Sequence, residues 1–160
     1  MEKLSHPFEP IIFEDSKILI LGSFPSIKSF ENSFYYSHPR NQFWKILHKI
    51  TSYPVNNKDQ KIWLLKRYKL GLWDIIKSCK RSNSLDSSLK EIKANDIKTL
   101  LKNYPSIKKI AFTGRKAEEI YNKFFKDLDI PTFYLPSPSS AYAKLSLEEK
   151  AKIYKEILEL

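Results

Sequence analysis

Three short runs of the chain are apolar at nearly every position: KILILGS (17–23), KKIAFTG (108–114) and PTFYLPS (131–137). Continuous apolarity, rich in β-branched and aromatic residues, predicts strands covered on both faces. LGLWDII (70–76) is a fourth, weaker run. Between the runs the period changes to that of a helix. Phe43, Ile46, Leu47 and Ile50 share one helical face, as do Ala117, Ile120, Tyr121 and Phe124. Ile97, Leu100 and Leu101 mark another helix, which NYP (103–105) ends. Ser146 and Glu149 form a capping-box pattern ahead of a last helix carrying Ile153, Tyr154, Ile157 and Leu158. Residues 59–68 read as one more helix.

Strands alternating with helices predict an α/β domain with a mostly parallel sheet, here a single domain over 1–160. The stretch GSFPSIKSFENSFYYSHPRNQFW (22–44) looks like neither element until the helix QFWKILHKI begins. SCKRSNSLDSS (78–88) reads as a long polar surface loop. Ligands of open α/β sheets bind beyond the carboxyl ends of the strands. That rule selects GSFPS after the first run, TGRKA after the third and SPSSAYA after the last.

Charge adds a partner to this picture. The 160 residues carry 28 Lys and Arg against 18 acids, a net +10, which favours an anionic partner, nucleic acid first. A plainer reading is a solubilising lysine-rich surface. With 42% hydrophobic residues the chain is globular rather than disordered. The lone Cys79 excludes an internal disulfide, a cysteine-based zinc site and a cysteine-ligated cluster. His6, His38 and His48 form no metal-spaced pair, so no metal or other cofactor is expected. No apolar run approaches the length of a membrane span, and MEKLSHPFEPII lacks the core of a signal peptide, which predicts a cytoplasmic protein with no membrane partner.

The selected segments carry chemistry of several kinds. GSFPS lacks the Gly-x-x-x-x-Gly-Lys phosphate loop and can be a plain turn, with Phe24 at its tip. In YYSHPRNQFW, Tyr35 or Tyr36 can stack on a base, Arg40 can hold a phosphate and His38 can serve as acid, base or phosphate contact. Asn41 can read a base edge or orient a water, or merely cap the helix behind it. LPSPSSAYA is stiffened by two prolines and offers hydroxyls. Arg115 and Lys116 sit at a helix start, a plausible anion site or an ordinary solvated face.

Taken in order, ILILGSFPS, YYSHPRNQFWKIL, GLWDII, SNSLDSSLKEIKANDIKTLL, IAFTGRKA and LPSPSSAYA resemble the uracil-DNA glycosylase superfamily, and within it the deoxyinosine (hypoxanthine) DNA glycosylase branch. The resemblance implies a three-layer α/β/α sandwich around a four-stranded parallel sheet. It implies a monofunctional base-excision repair hydrolase acting on DNA that contains deaminated bases; independently of the resemblance, a monomer is expected. Phe24 stands where many members of the superfamily carry a water-activating polar residue, so the resemblance transfers the catalytic role to Asn41. Gly22, Ser23, Phe24, Tyr35, Tyr36 and Ser137 are implied to form the base pocket, Ser137 replacing the His or Asn of uracil-specific relatives. Pro25, Ser26, His38, Arg40, Arg115, Lys116, Pro138, Ser139 and Ser140 are implied to contact DNA, with Ala141 or Tyr142 as a minor-groove wedge. The rivals are removal of uracil or xanthine by the same machinery, a non-catalytic nucleic-acid binder, and a small nucleotide-binding module.

Overall fold

In the computed structural model, which describes residues 2–160, the run at 17–23 forms β2 (Ile18–Gly22), buried at every position. It pairs in parallel with β3 (Leu70–Asp74) on one side and β6 (Lys109–Thr113) on the other. β7 (Thr132–Leu135) pairs in parallel with β6, giving the order β3-β2-β6-β7. Successive side chains alternate across this sheet. Ile18 and Ile20 join a core with Leu72, Ala111 and Leu135, while Leu19, Leu21, Ile110 and Phe112 join another.

Helices cover both faces. On the first lie α2 (Phe43–Thr51), α3 (Lys58–Arg67) and α6 (Leu147–Ile157), contributing Phe43, Ile46, Leu47, Leu64, Leu65 and Tyr154. On the second lie α4 (Ile97–Asn103) and α5 (Arg115–Phe124), contributing Ile97, Leu100, Ala117, Ile120 and Tyr121. The expected three-layer α/β/α sandwich is therefore what forms. Three of these helix starts have a local cause. Asn57 and Asp96 accept the backbone N–H groups of Gln60 and Thr99, and the Ser146–Glu149 capping box is present. Among the described residues, no helix is long and apolar enough to cross a membrane.

Two sequence expectations need correction. The stretch after β2 is not wholly irregular: Ser26 caps a short helix, α1 (Ile27–Asn32), by accepting the N–H of Ser29. The polar segment 78–88 is not all loop. Its first three residues belong to β4 (Ile76–Lys80), which lies between β1 (Lys3–Ser5) and β5 (Lys90–Ala94) in a small antiparallel sheet. β4 buries polar Ser78 and packs Cys79 and Ile76 into the second core, so its pattern reads as loop when taken alone.

Candidate active site

Strand register sets the floor of the site. At the carboxyl edge of the sheet, Asp74 of β3 pairs with Gly22 of β2, and Thr113 of β6 pairs with Leu135 of β7. The space a Gly22 side chain would fill is already taken. A Cβ there would lie 2.5 Å from Asp74 Oδ1, 2.7 Å from Tyr36 OH and 3.2 Å from Thr113 Oγ1. Gly22 is thus required by close approach, and three polar side chains converge around it.

Tyr36 is the central ring. Its backbone is left-handed, at φ 51°, an uncommon state for a bulky residue that re-aims the side chain. The ring lies flat on buried Phe43, with centroids 4.0 Å apart, and its hydroxyl meets Thr113 Oγ1 at 2.7 Å. Burial first, and the nearby Asp74 second, push the Tyr36 hydroxyl far above the ordinary phenol range, so it stays protonated. Tyr35 differs. Its hydroxyl donates to Glu9 O at 2.9 Å, its ring packs on Phe8 and His6, and only 2% of it is exposed.

The turn 38–41 is held by its own backbone. Asn41 N–H donates to His38 O at 2.9 Å, and Arg40 N–H donates to His38 Nδ1 at 3.0 Å. Asn41 Oδ1 accepts the N–H of Phe43 at 2.9 Å. The capping reading of Asn41 therefore describes its oxygen, while Nδ2 has no partner among the described residues, on a residue that lines the cleft.

Phe24 was expected at an exposed tip. It is instead half-buried, packed on Phe30 at 5.6 Å between centroids and covered by Arg81 at 5.1 Å from its ring. Buried Arg81 also donates to Pro25 O, which fixes this turn from beneath. Ser23 Oγ donates to Asp86 Oδ1 at 2.7 Å. Asp86 is an exposed residue that lines the cleft. Burial is the leading cause that pushes its pKa up; Asp74 and Glu119 add to this, while the Ser23 bond and Lys116 oppose it.

The last loop closes the far wall. Ser137 sits 3.6 Å from the point where a Gly114 Cβ would be, and Gly114 has φ 103°, a conformation glycine tolerates. Ser137 Oγ accepts the N–H of Ser139 at 3.2 Å, leaving its own hydrogen free to donate. Ser140 and Ala141 stand exposed at the tip, while Tyr142 is half-buried behind them. Lys150, fully buried, ties this loop to the Asn41 turn by donating to Gln42 Oε1 at 2.7 Å and Ser139 O at 3.3 Å. Gln42 N–H donates to Pro138 O at 2.8 Å. Arg115 lies 3.6 Å from the centroid of the Tyr134 ring and pairs with Glu118.

All the candidate residues named from the sequence, from Gly22 to Tyr142, line one cleft of about 800 Å³. The sequence reading missed Asp74, Thr113, Asp86 and Tyr134, which line it too. Asp74 had a faint signal, a lone acid interrupting an apolar strand; Asp86 had none.

Fold and site together define an α/β protein with an aromatic and hydroxyl-rich cleft at the carboxyl edge of its sheet, flanked by basic side chains. The Uracil DNA glycosylase superfamily model matches residues 10–158. The chain is 36% identical over 136 residues to a "Hypoxanthine DNA glycosylase" of Methanosarcina barkeri, covering 84% of this chain and 85% of the relative. It is 33% identical over 147 residues to a protein of that name from Methanosarcina acetivorans, covering 91% and 92%. A solution NMR structure of a candidate uracil DNA glycosylase from Methanosarcina acetivorans superposes with a TM-score of 0.80 at 32% identity, covering 98% of this chain and 99% of that one. The chain belongs to the uracil DNA glycosylase superfamily.

Proposed function

We propose that the protein is a monofunctional DNA glycosylase that removes deaminated bases, deoxyinosine first, and that it works as one domain, a monomer, in the cytoplasm. The observation that carries this is the pairing of Tyr36, stacked on Phe43, with Asn41 in one cleft at the carboxyl edge of the sheet. The names of the relatives and the net +10 charge support DNA as substrate and hypoxanthine as the released base.

The glycosidic bond is unreachable inside a duplex, so the nucleotide is turned out into the cleft. There its base lies on the face of Tyr36 that Phe43 leaves uncovered. The bond to C1′ breaks with oxocarbenium character and the base departs with the bonding electrons; water adds to C1′ and gives up a proton, and uptake of one proton neutralises the departed base. Asn41 Nδ2 is a donor, so it suits an acceptor: a ring nitrogen or carbonyl of the departing base, or the oxygen of the attacking water. Ser137 Oγ–H and backbone N–H groups donate to the base as its charge grows. Ser140 and Ala141 lead the loop that fills the gap in the duplex, with Tyr142 bracing it. Arg40, Arg115, Lys116, His38 and the loop serines face the phosphates.

The test is a strand-cleavage assay on labelled duplexes carrying one deoxyinosine, uracil, xanthine or no lesion, with and without alkali. Cleavage strongest at deoxyinosine and only after alkali supports the reading. Cleavage without alkali removes the monofunctional assignment, and tight duplex binding with no cleavage of any lesion leaves a nucleic-acid binder.

A further inference from the structure

Helix α3 carries a second cluster of chemistry that the mechanism above does not use. Lys58, Lys61, Lys66 and Arg67 give it four cations, and each lies over an aromatic ring. Lys58 and Lys61 stand 5.7 and 5.8 Å from the centroid of Phe34, and Lys61 is also 5.4 Å from that of Trp44. Lys66 stands 5.2 Å from Trp63 and 6.0 Å from Phe13, and Arg67 is 5.9 Å from Tyr68. Among the described residues, none of the four cations joins an ion pair. The one acid of the helix, Asp59, sits in its first turn, where the helix dipole favours it.

Trp63 is the most exposed large apolar side chain among the described residues, at 56%. The end of a helix favours cations such as Lys66 and Arg67, but an indole gains nothing there by leaving its ring in water. Lys66 and Arg67 follow Trp63 by three and four positions, so the three exposed residues are neighbours on the outer face, while Leu64 and Leu65 point to the core. No residue of α3 lines the cleft.

We infer that the outer face of α3 is a second binding site, for single-stranded nucleic acid, with Trp63 as its stacking platform and Lys58, Lys66 and Arg67 as its phosphate contacts. The inference stands apart from the glycosylase reading, since it needs no chemistry in the cleft. An exposed indole accepts the π face of any base. Bases inside a duplex are already stacked and paired, so a single strand is the form that can supply a free one. The unpaired cations supply the complementary charge along a helix about 15 Å long, which a strand covers in a few nucleotides. An acidic peptide would answer the charge and leave the flat indole without a flat partner.

Trp44 is buried and Trp73 half-buried, so quenching of tryptophan emission reports chiefly on Trp63. The experiment titrates the full chain with oligothymidylate, with an undamaged duplex and with polyglutamate, at several salt concentrations. Oligothymidylate should quench the emission, with an affinity that falls as salt rises. Trp63→Leu should abolish the quench and weaken oligothymidylate binding about 10-fold, with little change for the duplex, because stacking is what is lost. Lys66→Gln combined with Arg67→Gln should flatten the plot of log affinity against log salt by about 1.4, two phosphate contacts at about 0.7 each. Tyr36→Leu alters the cleft and should leave the quench in place. No quench by oligothymidylate overturns the inference, as does an unchanged affinity in both α3 variants. Loss of the quench in folded Tyr36→Leu moves the strand into the cleft and overturns it too. So does an equal loss of duplex and single-strand affinity in Trp63→Leu, or a quench by polyglutamate as strong as that by oligothymidylate. Failure to release any base from lesion duplexes would sink the glycosylase reading and leave this site standing, since its readout is binding alone.

Discussion

Tyr36 lies on Phe43 with ring planes only 15° from parallel, while its hydroxyl is tied to Thr113. The ring is thus held from behind and at its tip before any base arrives, which lowers the ordering cost of stacking. Tyr36→Phe keeps the ring and removes the bond to Thr113. It should lower stability by about 1 kcal/mol and leave single-turnover base release within a few-fold of wild type. Tyr36→Leu removes the stacking face and should reduce kcat/KM about 10- to 100-fold, the range that base–aromatic stacking supplies. Equal effects of the two variants would show that the ring does not receive the base.

Asn41 has two separable duties. Its oxygen holds the N–H of Phe43, and its free amide nitrogen is the candidate catalytic donor. Asn41→Asp keeps an acceptor for Phe43 but replaces the donor. Thermal unfolding should stay close to wild type while base release falls at least 100-fold. Asn41→Ala loses both and should also destabilise by about 1 kcal/mol, as loss of a helix-capping side chain does. Retained activity in Asn41→Asp would reduce Asn41 to a cap.

The central sheet is legible in the sequence because its strands are buried on both faces, so burial alone writes the pattern. The small second sheet is not. β5 reads KEIKA, and β4 buries Ser78; nearby Asn95 is buried too, its amide serving the carbonyls of Asp74 and Ile76 at residues distant in sequence. Six-residue α1 is too short for a helical period to repeat. For the site, the loops were legible because prolines, serines and aromatics crowd into them. Asp74 was not, since its place beside Gly22 follows from strand pairing, and His6 was weighed only as a metal ligand. The difference between Tyr35 and Tyr36 also needed the fold: neighbours in sequence, the first is buried with its hydroxyl on Glu9 O, while the second keeps more exposure and sends its hydroxyl to Thr113.

Gly22 has no room for a methyl group. A Cβ would come within 2.5 Å of Asp74 Oδ1 and 2.7 Å of Tyr36 OH, so both must move. Gly22→Ala should destabilise the protein by about 1–3 kcal/mol, the usual range for overpacking. It should also lower base release beyond what the stability loss explains, measured at a temperature where the variant is fully folded. Wild-type activity in a folded Gly22→Ala would show that the convergence at this point is not used.

Asp86 offers a pH test. Its folded pKa is raised, chiefly by burial, so the folded state holds this proton more tightly than the unfolded chain does. Stability from this group is fully present below the unfolded value of about 3.9 and is lost as pH rises through the folded value. Asp86→Asn keeps an acceptor for Ser23 and removes the charge. Its melting temperature should exceed that of wild type at pH 7, and the gap should close as pH falls toward 4. A gap independent of pH would mean that the carboxylate is not strained by its surroundings.

Lys150 joins the two loops that the proposed mechanism uses together. Its ammonium is fully buried, and burial lowers its pKa; it donates to Gln42, next to Asn41, and to Ser139 of the last loop. Lys150→Met keeps the aliphatic bulk but frees both loops. Two effects on stability oppose each other: Gln42 Oε1 loses its partner, at about 1–3 kcal/mol, while a buried charge is removed. The net change in melting temperature should therefore be small. Function should not be spared, because the insertion loop and the Asn41 turn lose their shared anchor. Affinity for a duplex containing deoxyinosine should weaken several-fold more than affinity for an undamaged duplex, since only the lesion complex needs the loop inserted while the base is held. Fluorescence anisotropy on matched duplexes measures both. Equal weakening would make Lys150 a structural residue with no part in coupling the loops.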